Sequence, residues 1–156
     1  YRRQRQMCIR DSFHYGAGNH GELKSLLKKS LTVIGIFSVS MFLLAEGLAS
    51  PLAAIFVGYD DALMELTRHG FTIYSFSFLF AGIAIYGSGF FTALNNGLIS
   101  ALISFLRTLL FQVGAVLIFP LFWELNGIWF SIVAAEIMAA VVTVLFLIGK
   151  RKQYQY

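Results

Sequence analysis

Two ionisable side chains stand deep inside stretches that are otherwise apolar. Arg107 lies in "LISALISFLRTLLFQVGAVLIF" and Glu136 in "GIWFSIVAAEIMAAVVTVLFLIG". A charge at the centre of a bilayer costs about 2.5–3.5 kcal/mol on insertion scales, so such a group turns inward and takes a partner. Each lies about ten residues from the start of its stretch, so on antiparallel helices they sit roughly 15 Å from opposite faces of a core about 30 Å thick. The expectation is an Arg107–Glu136 pair, or a shared polar network, near the midplane on antiparallel neighbours. Such a pair can be a static lock between helices. It can also be functional, with Glu136 taking a proton or contacting substrate. The remaining alternative is that the two do not meet; a contact pair needs about 4 Å.

Other polar groups in these stretches are weaker signals. Tyr74, Tyr86, Asn95 and Gln112 are candidate cavity-lining or cavity-mouth groups. An aromatic wall can hold an organic cation by cation–π attraction. Lipid-facing or packing roles are the plainer reading of any one of them. Ser100, Ser104, Arg107, Phe111 and Gly114 recur at helical spacing, and Ser77, Ala81, Ala84 and Ser88 form a second seam. Small-residue faces of this kind usually pack helix against helix. No grouping of nucleophile, base and oxyanion donor is visible, and no phosphate-binding Gly-Lys-Ser/Thr motif. His14, His20 and His69 fall in two separate connections, so no metal-ligand cluster is expected. The chain reads as no enzyme, with no metal and no cofactor.

The elements that must hold these residues are set by composition. Of 156 residues, 58% are hydrophobic and 13% charged, against about 45–50% and 25% in soluble domains. Mean hydropathy is +0.72. The expected fold class is all-α, a polytopic membrane bundle of four transmembrane helices whose partner is the lipid bilayer. The four spans are Leu31 to about Leu48, Gly70–Phe91, Leu98–Phe119 and Gly127–Gly149, each near the roughly 20 residues that a crossing needs. Glu46 reads as the approach to an interface. "ASPLAAIFVGYDDALMELTRHG" reads as an outer connection in which Asp60 and Asp61 cap a short helix holding Met64 and Leu66. Pro51 and Pro120 read as helix stops at the outer ends.

Lys24, Lys28 and Lys29 precede the first span, and Lys150, Arg151 and Lys152 follow the fourth. Positive loops stay inside, so both ends are expected to be cytoplasmic, in a cell (plasma or inner) membrane.

The head, Tyr1–Ser12, carries four Arg, Asp11 and Cys8. "MCIRDS" back-translates as ATG TGT ATA AGA GAC AG plus one base, which resembles the transposon mosaic end used in sequencing libraries. "RQRQ" fits the adapter bases upstream of it. The expected division is 1–12 non-native adapter-derived head, 13–30 the end of a preceding helix with a cytoplasmic loop, 31–149 the transmembrane part, and 150–156 a cytoplasmic tail. Without the head the formal charge falls from +4 to +1. No basic stripe then remains for a nucleic acid.

"SFHYGAGNHGELKSLLKKSL" resembles a signature of the multidrug and toxic compound extrusion (MATE) transporters, Tyr-Asn-Tyr-Gly-Ala-Gly-Asn. Phe13 and His14 depart from it, while Tyr15, Gly16, Ala17, Gly18 and Asn19 match. "SPLAAIFVGYDDALMEL" is similar to the family's outer segment after its ninth helix. "FFTALNNGLISALISFLRTLLFQVGAVLIFPLFWELNGIWFSIVAAEI" is similar to its tenth-to-twelfth-helix region, with an Arg inside the eleventh helix, a Pro at its end and Gly-Ile-Trp opening the twelfth. The resemblance implies the C-terminal third of a twelve-helix multidrug efflux antiporter, a fragment whose partner is the missing N-terminal lobe of the same chain. It implies exchange of H+ or Na+ for organic cations and other small organic substrates, that is, xenobiotic transport by rocking between two access states. Some branches carry an Asp ion ligand in the tenth helix. The second span here has none, so that site does not transfer. The alternatives are a lipid-linked oligosaccharide flippase of the same superfamily and a stand-alone four-helix membrane protein with a structural role.

Overall fold

A computed structural model describes residues 20–154, and these are helical apart from short turns. Helix α1 is His20–Val57. Helices α2, Asp61–Ser75, and α3, Ser77–Ala93, follow. Then come α4, Gly97–Phe105, a π-helical segment, Leu106–Val113, and α5, Gly114–Ile118. Helix α6 is Pro120–Tyr154, broken by a kink at Trp123 and Glu124, whose backbone is non-helical. Three runs are long and apolar enough to cross a membrane: Gly21–Val57, Gly97–Ile118 and Pro120–Arg151. A fourth is the pair α2 and α3 taken together, bent by 41°. The chain is a multi-pass membrane helix bundle.

Ile36, Phe37, Leu43 and Leu44 of α1 point outward with more than half their surface exposed. Such a face would be costly in water, whereas lipid tails are as apolar as leucine. The packed core lies at one end. There Leu23 meets Tyr86, Phe90, Phe91, Leu94, Leu147 and Tyr154.

That core corrects two expected boundaries. Residues 20–30, expected within the end of a preceding helix and a cytoplasmic loop, are helical. Leu23, Leu27, Leu31 and Ile34 recur at spacings of three and four and keep one face of α1 on the cluster, so the helix does not stop where the lysines begin. The tail is likewise helical to Tyr154, whose hydroxyl accepts a 2.6 Å bond from Asn96 Nδ2.

Pro51 is a further correction, because it lies inside α1 and does not end it. A proline frees the carbonyl four residues back and crowds it. That residue is Gly47, which has no side chain to add to the crowding. Ala49 and Ala53 are buried on either side of the proline. The connection expected on the outer side shrinks to a turn in front of α2. There Asp60 alone is the cap, accepting from Ala62 N at 3.0 Å and Leu63 N at 3.2 Å. Asp61 is the first helical residue.

The second span is not one straight helix. It bends at Phe76, where the amide of Phe76 turns back to Ile73 O at 3.3 Å. Ser75 faces Glu46 and Thr72 O within hydrogen-bond distance. The ring of Phe76 packs on Phe42 at a centroid distance of 5.0 Å. Glu46 thus reaches across from α1 to the bend at Ser75.

Between α3 and α4 the chain turns tightly. Asn96 N donates to Phe91 O at 2.9 Å and Asn95 N to Thr92 O at 3.0 Å. This is the paired-bond helix ending that places its next residue in the left-handed region. That residue is Asn95, with φ 58°. Asn96 then caps α4 by accepting from Ile99 N at 3.2 Å. The left-handed conformation costs a β-branched residue about 1–2 kcal/mol. Asn95→Val should lower thermal stability in detergent by that amount, and Asn95→Gly should match or exceed the parent.

Candidate functional site

Arg107 and Glu136 meet. Arg107 Nη2 lies 2.7 Å from Glu136 Oε1, and Arg107 Nε lies 3.1 Å and 3.0 Å from Oε1 and Oε2. This is a fork-to-fork pairing, the strongest arrangement of these two groups. The arginine side chain is 26% exposed and the carboxylate 10%.

The local structure explains why they reach each other. Arg107 is the second residue of the π-helical segment. The inward face of this run reads Ile99, Ile103, Arg107, Phe111 and Ala115, in steps of four. In an α-helix each step of four drifts the stripe by about 40°. The wider i→i+5 turn offsets that drift and keeps Arg107, Phe111 and Ala115 in line with Ile99. On α6, Ser131, Ala135 and Ala139 are buried beside Glu136. Their small side chains let the helices come close.

The other candidate residues do not gather around this pair. Tyr86 is buried and stacks on Phe90 at 5.9 Å, as part of the core. Tyr74 is half-buried and makes an edge contact with Phe78 at 5.6 Å. Asn95 is exposed in its turn, and Gln112 is exposed on the π-helical segment. Tyr15, Gly16, Ala17, Gly18 and Asn19 lie outside the described residues.

The two small-residue faces do meet, through hydroxyls. Ser88 Oγ lies 3.0 Å from Ser100 Oγ and 2.9 Å from Ser104 Oγ, and Thr92 Oγ1 lies 2.7 Å from Ser100 Oγ. Sequence reading placed these serines on two separate faces and missed Thr92. The shared signal was there in outline, since Ser88/Thr92 and Ser100/Ser104 are both i, i+4 pairs. The Glu46–Ser75 contact and the Asn96–Tyr154 bond were also missed. Their partners are 29 and 58 residues apart, and no local pattern links them.

The MatE family model matches residues 7–117, well over half of the chain. The chain belongs to the MatE family. The matched range starts inside the head segment and takes in Arg107, while Glu136 lies beyond its end. No curated protein and no solved structure matches this chain. MatE proteins are membrane transporters of small molecules and not enzymes, which agrees with the lack of any catalytic grouping in the sequence.

Proposed function

We propose that this MatE chain works in a secondary active multidrug efflux antiporter that exchanges H+ or Na+ for organic cations and other small organic compounds. The family match over residues 7–117 carries the reading. On this reading the four helical spans form part of a C-terminal six-helix lobe, completed by further helices of the same protein. Both ends of the chain face the cytoplasm, where Lys24, Lys28, Lys150 and Arg151 follow the positive-inside rule. The lobe moves as a body, as repeat-built transporters do.

Within the lobe the Arg107–Glu136 pair serves as a static clamp. Both carboxylate oxygens and two guanidinium nitrogens are engaged in it, so each charge is already matched by the other. The test is efflux of a fluorescent organic cation from cells that express the full native gene carrying this reading frame, with proton and sodium gradients varied separately. Efflux driven by one of the two gradients is the expected result, and no gradient-driven efflux would remove the antiporter reading. Glu136→Gln should keep the ion dependence while lowering the amount of folded protein. Loss of ion dependence at normal protein levels would instead make Glu136 a coupling residue.

A further inference from the structure

An open apolar groove of about 550 Å³ runs between α1, α3 and α6. Leu31 and Ile34 of α1, Ile83 of α3, and Val144 and Ile148 of α6 line its length. Lys24 and Lys28 of α1 and Arg151 of α6 border one end. The other end closes where Gly82 of α3 meets α1. A β-carbon on Gly82 would stand 2.8 Å from both Ile34 Cγ2 and Ser38 Oγ. Lys29, adjacent to Lys28, does not line the groove. The three cations therefore converge on it from two different helices.

The dimensions are those of one bilayer leaflet. From Lys24 to Ser38 α1 rises about 21 Å at 1.5 Å per residue. Half of the hydrocarbon core is about 15 Å. The groove thus holds a tail's length of apolar wall and then reaches headgroup level at its cationic end. Its volume falls within the roughly 300–1,000 Å³ of sites that take small ligands.

We propose that this groove binds one anionic diacyl phospholipid from the leaflet that meets Lys24, Lys28 and Arg151. The lipid phosphate sits among the three cations, as in other basic pockets between transmembrane helices. An acyl chain lies along Leu31, Ile34 and Ile148. This assignment rests on the membrane placement of the helices and requires that the further helices of the lobe leave the groove open to lipid.

The test uses the purified full native protein that carries this reading frame, equilibrated with vesicles of equal phosphatidylglycerol and phosphatidylcholine and examined by native mass spectrometry. One phosphatidylglycerol adduct should dominate the phosphatidylcholine adduct by about tenfold or more. The combined Lys24→Gln, Lys28→Gln, Arg151→Gln variant should bring the two to parity. Gly35 lines the groove, and a β-carbon there meets nothing within 4 Å. Gly35→Phe should therefore fill the space and reduce both adducts, with circular dichroism reporting an intact fold. If that variant does not fold, Ile148→Trp obstructs the same space from α6 and decides the point. Equal retention of the two lipids, unchanged retention in either class of variant, or no adduct at all would overturn the assignment. So would a lipid-free mass of two chains, which would give the groove to a second copy.

Discussion

Glu136→Leu should destabilise the folded bundle by about 3–5 kcal/mol, the range for removing one partner of a buried ion pair. The variant leaves the Arg107 guanidinium facing apolar neighbours, and an arginine cannot shed its proton to relieve the cost. Arg107→Leu should cost less, because an abandoned carboxylate can neutralise itself by taking a proton. The double variant Arg107→Leu/Glu136→Leu should recover most of the loss, since well-packed apolar residues often replace a buried pair without penalty. Unfolding by a denaturing detergent in mixed micelles, followed by circular dichroism, measures all three. No recovery in the double variant would mean that the pair adds little beyond packing.

Gly87→Ala carries the second large effect. A β-carbon at Gly87 would lie 2.1 Å from Thr143 Cγ2, well inside the 3.5–4.0 Å at which carbons rest. Thr143 is fully buried, and its hydroxyl is held by Ala139 O at 2.8 Å. The methyl therefore has no free direction in which to turn. Overpacking of this kind costs about 1–3 kcal/mol. Thr143→Ser removes the methyl and keeps the hydroxyl bond, so Gly87→Ala/Thr143→Ser should regain nearly all of the lost stability. The same unfolding titration gives the coupling between the two sites as a double-mutant cycle. Additive losses in the double variant would mean that α3 and α6 part at this point without strain.

These two sites differ in how far they could be read from the chain. Arg107 and Glu136 were legible as a pair because each is a rare charge in an apolar run, and the rise per residue puts both at one depth. Gly87 was not legible, since nothing near it in sequence marks it apart from the neighbouring glycines. Its role depends on the methyl of Thr143, which only the packing of α3 on α6 brings there. The bend at Phe76 was hidden for a related reason. The hydropathy of Gly70–Phe91 is continuous, and the bend comes from Ser75, Glu46 and Phe42, two of which belong to α1. Pro51 misled in the opposite direction. Its ordinary meaning is a helix stop, but buried alanines on either side carry α1 past it. The π-helical segment was also invisible, because residues in steps of four fit an α-helix nearly as well until the stripe must stay on one side for several turns.

Composition, hydropathy and single rare charges are properties of short windows, and they add along the chain without knowledge of its neighbours. On that basis the sequence alone determined the membrane class, the apolar runs that become the spans, the Arg107–Glu136 partnership and the resemblance to MATE transporters. Tertiary structure decided where helices bend, which glycines are closely packed, that Asn95 takes the left-handed conformation, and that three cations converge on one apolar groove. Each of these depends on atoms within about 4 Å that arrive from distant parts of the chain, a distance that sequence spacing does not encode.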